Sequence, residues 1–144
     1  MIFNIYYHIV EESSLGVGIV LEAIDHERLK HREFGFWFPI GSLHQVELRT
    51  VVLALSSIAK PFRKSEVNIS TMSEYLHNML TKVGNAYTIT PENNVDDVKT
   101  ARRWYDLYVT ELVDSKSPVL QKRAHERALL SLQFRQNYDS GTDG

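Results

Sequence analysis

The feature that most constrains this chain is a change of apolar period near Ser42. Before it lie three β-rich runs, Ile2 to Val10, Gly16 to Leu21 and Phe34 to Phe38, heavy in Ile, Val, Tyr and Phe. After it Leu48, Val51, Val52, Leu55 and Ile58 recur at three- and four-residue spacing, with Ser42 as a helix start and Pro61 just beyond the end. The polar cluster Glu11-Glu12-Ser13-Ser14 and the charged stretch Asp25 to Arg32 separate the strands, and Pro39 stops the third. Short polar connections of this kind predict an antiparallel meander followed by an amphipathic helix.

The pattern then alternates. Glu66 to Ser70 reads as a fourth, shorter strand and Ser73 to Lys82 as a second helix ending at Gly84. Val98, Ala101, Tyr105, Tyr108 and Leu112 predict a further helix; Ser117 as N-cap, Pro118 at the first helical position, Leu120, Ala124 and Leu129 or Leu130 predict the last one. Ala86 to Thr90 reads either as a fifth strand or as an extended loop. The order is α/β, a mixed sheet of three antiparallel strands and one or two parallel ones, flanked by about four helices. Residues 1–136 read as one domain and the polar residues 137–144 as a flexible tail.

A length of 144 residues with 43% hydrophobic and 24% charged residues suits one core-forming domain rather than a disordered chain. The absence of cysteine excludes disulfides, thiolate catalysis and thiolate zinc sites, and points to a cytoplasmic, reducing compartment. No run approaches the roughly 18 apolar residues of a membrane span. A net charge of −2 argues against a strong sequence-independent grip on nucleic acid, which draws on Lys and Arg displacing phosphate counterions.

On these elements, residues 2 to 82 resemble the opening of the ribonuclease H-like family, as found in the cellular enzymes and in retroelement reverse transcriptases. His44-Gln45-Val46-Glu47-Leu48 resembles its first helix, which carries a catalytic Glu before a Leu; Glu47 matches. Thr71-Met72-Ser73 resembles the Thr-Asp-Ser that ends the fourth strand, with Met72 in the Asp position. The run from Glu11 to Glu22 resembles the stretch after the first Asp in retroelement domains, which places Glu11 there; the register of the cellular enzymes places His8 there instead. For the last carboxylate, Pro91 to Asp97 resembles the Pro-Glu-Asn stretch and offers Asp97 or Asp96, whereas an alternative register through Ala124-His125-Glu126 puts His125 in the Asp position and leaves no room for a strand at Tyr87 to Ile89.

What the resemblance implies is hydrolysis with two Mg²⁺ or Mn²⁺ ions about 3.5 to 4 Å apart. If the chain is active, Glu11, Glu47 and Asp97 are the implied metal ligands and catalytic residues. The thioether of Met72 is a poor ligand for a hard cation, and an imidazole at His8 or His125 suits zinc or other transition metals better than Mg²⁺. The expectation is therefore a catalytically degenerate domain that needs no cofactor and binds nucleic acid, as an RNA/DNA hybrid or single strand, or a protein partner. A divergent metal-dependent nuclease is the first alternative and a structural or assembly protein, with the chain as a homo-oligomer, the second.

Blander readings stand beside these. Met72 suits a packing residue at a strand end, and Glu47 a solvated residue complementing the helix dipole. The six histidines are scattered through the sequence, which favours separate surface or core roles. Phe34, Phe36, Trp37 and Phe38 alternate across a strand and need either a covering helix or a partner surface. Arg102, Arg103, Trp104, Lys122 and Arg123 make the later helices locally basic; solvated helix faces explain this, and a weak phosphate-contacting face with Trp104 stacking is the functional reading.

Overall fold

The computed structural model describes residues 1–58, 65–81 and 95–143. Its elements are β1 (Ile2–Glu11), β2 (Leu15–Asp25), β3 (Arg28–Phe38), α1 (Leu43–Ser56), β4 (Glu66–Ser70), α2 (Glu74–Thr81), α3 (Val95–Asp106), β5 (Val109–Val113), α4 (Pro118–Phe134) and β6 (Tyr138–Asp143). Among the described residues one six-stranded sheet runs in the order β5-β4-β1-β2-β3-β6. β1, β2, β3 and β6 pair antiparallel, while β4 joins β1, and β5 joins β4, in parallel. The mixed sheet and flanking helices agree with the architecture expected from the order of elements.

Alternation along β2 sets the two layers. Val17, Ile19 and Leu21 point into the main core with Val46, Val51 and Leu55 of α1 and Val98 and Ala101 of α3. Gly16, Gly18 and Val20 point the other way, toward α4. That helix lies almost on the strand backbone, since a Cβ on Gly18 would stand 1.8 Å from the carbonyl oxygen of Ala124 and one on Gly16 2.2 Å from that of Ala128. Glycine is required there by close approach and not by backbone conformation.

Two expectations change. The charged stretch after Asp25 is not a connecting loop: Arg28 to Glu33 continue β3, which pairs with β2 from Asp25↔Arg28 onward, leaving His26 and Glu27 as the turn. His26 takes the left-handed conformation (φ 55°) that a tight connection demands. The helix read through Leu112 stops at Asp106, because Val109-Thr-Glu-Leu-Val is a β-branched run and finds a parallel partner in β4. Tyr108, counted as a helical position, is buried at the junction and donates from its hydroxyl to the Leu55 carbonyl at 3.2 Å. The polar segment after residue 136 pairs with β3 as an edge strand over Tyr138–Asp143, with Arg32 bonded to Asp139 at 2.6 Å. The candidate strand Ala86 to Thr90 lies outside the described residues, as do Gly84 and Pro61.

The aromatic run of β3 has the blander explanation. Phe34 is buried, and Phe36 and Phe38 pack against the main core, while Trp37 on the opposite face donates from its indole to the Ser14 hydroxyl at 2.9 Å. Among the described residues no helix is long and apolar enough to cross a membrane.

Candidate functional site

The parallel pairing of β1 and β4 ends at Tyr6↔Ser70, so Tyr7 to Ile9 and Thr71 to Ser73 run on past it side by side. The N-terminal half of α1 lies over this edge. Together they form a cavity of about 450 Å³ lined by Tyr7, His8, Glu47, Thr71, Met72, Ser73 and Gln121, with further apolar walls from Ile9 and Leu43. Clefts at the carboxyl ends of strands are where α/β sheets place ligands.

Glu47 reaches this cleft because α1 begins at Ser42, whose side chain accepts the Gln45 N–H at 3.2 Å. Glu47 is largely buried, and its Oε2 accepts from the Ser73 hydroxyl at 2.5 Å. The same Ser73 oxygen accepts the Leu76 N–H at 3.2 Å and so caps α2. Ser73 N–H in turn donates to the Thr71 hydroxyl at 3.1 Å, which shares a hydrogen bond of 2.6 Å with the Tyr7 hydroxyl. A continuous polar chain thus links β1, β4, α2 and α1.

Burial raises the Glu47 carboxyl above the ordinary carboxylate value, against the Ser73 hydrogen bond and the neighbouring His44, which both favour the ionised form. His44 is itself stacked on Tyr75, ring centroids 4.0 Å apart at 10°. Burial also raises the Tyr7 hydroxyl, with Thr71 opposing and Glu47 adding to the rise.

His8 faces the α4 side of the sheet, and its ring lies against that of His125, centroids 4.2 Å apart and tilted by 39°. Burial and then His125 lower the His8 imidazole below its ordinary value, so its neutral form is favoured. Met72 is 88% exposed at the rim, which sets aside a core-packing role for it.

Of the residues singled out in the sequence, His8, Glu47 and Met72 therefore meet in one cleft, with His125 against its wall. Glu11 and Asp97 do not line it. Glu11 ends β1 at the hairpin, exposed and paired with Leu15. Asp97, on the first turn of α3, accepts from Gln45 at 3.3 Å and pairs with Arg49 at 3.5 Å, and lines a separate cavity of about 420 Å³ with Phe36, Phe38 and Leu53.

The basic residues do not form one face. Arg102, Arg103 and Trp104 belong to α3, which packs on α1, with Trp104 against the main core. Lys122 and Arg123 belong to α4 on the far side of the sheet. Lys122 is exposed, but Arg123 and Arg127 both pair with Glu33 of β3, the latter at 3.1 Å. Tyr7, Ser73 and Gln121 were not legible as site residues. The parity of β1 places Tyr7 opposite to His8, and Gln121 comes in through the packing of α4 on the sheet, its Nε2 donating to the Tyr7 carbonyl at 2.7 Å.

A hard divalent cation asks for several oxygen ligands. Among the described residues Glu47 is the sole carboxylate lining the cleft, and no group of three or more His, Asp or Glu side chains is arranged to hold a metal ion. The described donor set at this edge, one carboxylate among hydroxyls, an amide and an imidazole, does not fit Mg²⁺ or Mn²⁺.

No protein-family model and no curated protein matches the chain. Solved structures do match. LC9-RNase H1, described as a type 1 RNase H with the type 2 active-site motif, superimposes with TM-score 0.74 at 16% identity over 97% of this chain and 78% of its own. RNase H1 from Halobacterium salinarum gives TM-score 0.65 at 16% identity over 94% of this chain and 100% of its own. A foamy viral protease-reverse transcriptase in complex with an RNA/DNA hybrid gives TM-score 0.59 at 17% identity, over 90% of this chain and 19% of that much longer one. With the sheet order and helix layers described above, these likenesses show that the chain has the ribonuclease H-like fold.

Proposed function

We propose that this chain is a catalytically degenerate ribonuclease H-like domain that binds nucleic acid without cleaving it. The observation that carries the reading is the make-up of the cleft: Glu47 sits beside Met72 and the His8–His125 pair where a two-cation mechanism requires oxygen ligands. Fold does not dictate function, so nucleic acid as the ligand rests on likeness to structures such as the viral enzyme bound to an RNA/DNA hybrid. With a net charge of −2 the expected binding is modest and salt-sensitive, resting on local cations such as Arg103 and Lys122.

The test pairs a hydrolysis assay on a labelled RNA/DNA hybrid, in Mg²⁺ and then Mn²⁺, with retention of the same hybrid by the protein. Retention that weakens with salt, with no cleavage, is the expected result. Cleavage abolished by Glu47→Gln overturns degeneracy and makes the chain a divergent nuclease; neither cleavage nor retention overturns the nucleic-acid reading and turns the search to a protein partner.

A further inference from the structure

We infer that the outward face of α4 is a self-association surface, which takes the α4 of a second copy of this chain antiparallel to itself. The proposal does not rest on nucleic-acid binding. Its basis is a palindrome of side-chain chemistry: Val119, Lys122, Glu126 and Leu129 recur at steps of three, four and three residues, the spacing of one seam along a helix. All four are exposed. The residues that α4 buries, Leu120, Ala124, Ala128 and Ser131, lie on the opposite side, where the helix packs on β1, β2 and β3. Among the described elements α1, α2 and α3 pack with one another on the other face of the sheet, which leaves α4 as the outer layer on its own side.

Two such helices related by a two-fold axis at the level of Ala124 match residue for residue. Val119 meets Leu129 of the second copy and Lys122 meets Glu126 of the second copy, and each contact occurs twice, because a two-fold interface uses the same patch on both chains. Charge selects both the partner and its direction. Antiparallel pairing sets each lysine against a carboxylate, whereas parallel pairing stacks lysine on lysine and glutamate on glutamate. Among the described residues neither Lys122 nor Glu126 makes an ion pair within its own chain, in contrast to Arg123 and Arg127 on the flank, which Glu33 holds. Leu130 and Phe134, large apolar side chains left exposed beside the seam, widen its apolar end. A single pair of helices about 25 Å long makes an interface at the low end of specific ones, near or under about 1,200 Å², so the dimer is weak and concentration-dependent. Pairing also commits Lys122, so a hybrid that draws on that lysine competes with the second copy.

The experiment is sedimentation velocity on the untagged, full chain, without nucleic acid, over a concentration series at low and at high salt. A monomer–dimer equilibrium that salt weakens is expected. Leu129→Asp, Lys122→Glu and Glu126→Lys each weaken association at least about tenfold and leave the melt of the dilute monomer unchanged. Mixing the Lys122→Glu chain with the Glu126→Lys chain restores the dimer, since one seam then carries two carboxylates and the other two lysines; damage to the fold by either substitution has no such rescue. The chain has no cysteine, so its direction of pairing is read by oxidising Val119→Cys mixed with Leu129→Cys, which cross-links faster than either variant alone. A monomer at every concentration, a dimer that Leu129→Asp leaves intact, charge variants that do not rescue each other on mixing, or cross-linking no faster in the mixture overturns the proposal. If Leu129→Asp disturbs the helix, the two charge variants and their mixture decide it alone.

Discussion

Gly18 of β2 and Ala124 of α4 are in backbone contact: a Cβ on the glycine would lie 1.8 Å from the carbonyl oxygen of the alanine and 2.7 Å from the Ala128 amide nitrogen. Both obstacles are main chain, so no rotamer change relieves them. Gly18→Ala must lift α4 off the sheet, which is expected to cost about 3 kcal/mol or more. Urea denaturation measures it, and a loss under about 1 kcal/mol would show that the helix sits farther out.

At Gly35 the same substitution meets a side chain. A Cβ there would stand 2.2 Å from the Ser131 hydroxyl, which is buried and, among the described residues, has no hydrogen-bond partner. Ser131→Ala alone is therefore expected to be neutral or slightly stabilising, since it removes an unsatisfied polar atom. Gly35→Ala should cost less than Gly18→Ala, and Ser131→Ala should restore most of that loss in the double variant. A double-mutant cycle with no coupling would contradict the contact.

Glu47 makes stability depend on pH in a stated sense. Burial raises its folded-state value above that of the unfolded chain, so its protonated form favours the fold. This contribution is fully present below the unfolded carboxylate value, about 4.3, and is lost as pH rises through the higher folded value. Glu47→Gln removes that dependence. Its stability relative to wild type should improve between pH 4 and pH 7, read as a difference in denaturation midpoint at the two pH values; a difference that falls instead would mean the Ser73 bond outweighs burial.

Glu33 of β3 holds two guanidinium groups of α4, Arg123 and Arg127, and its side chain is 12% exposed. Replacing it by Gln leaves both cations with a neutral acceptor at the helix–sheet junction. The expected cost is about 1 to 2 kcal/mol, less in high salt, by thermal or chemical melts. An unchanged melt would reduce the pair to a surface contact.

The first half of the fold was legible because its periods are unambiguous: β-rich runs to Phe38, then the three- and four-residue spacing of Leu48 to Ile58 over a capped start at Ser42. Beyond Val98 the spacing misled. Tyr108 and Leu112 fall on the helical period of Ala101 and Tyr105, yet Tyr108 is buried at a junction and Leu112 belongs to β5. A five-residue strand carries too little pattern to outvote a preceding helix, and what decides it is a parallel partner, β4, about forty residues away. That error hid the room for a strand before α4. Glu47 and Met72 were legible because each stands in a continuous local match; Glu11 and Asp97 drew on registers that no local signal fixes.

The distribution of charge on α4 separates two basic residues that stand side by side in the sequence. Lys122 is exposed, whereas its neighbour Arg123 is committed to Glu33. A cation already neutralised by a carboxylate has little field left for a phosphate, and freeing it costs the ion pair. If the domain binds an RNA/DNA hybrid, Lys122→Ala should lower affinity across sequences and reduce the slope of log affinity against log salt by about 1, with no change in the melt. Arg123→Ala should do the reverse, lowering the melting temperature while leaving the slope nearly unchanged. Filter retention across a salt series reads both, and a slope that responds to Arg123 and not to Lys122 would place the phosphate path on the opposite flank of the helix.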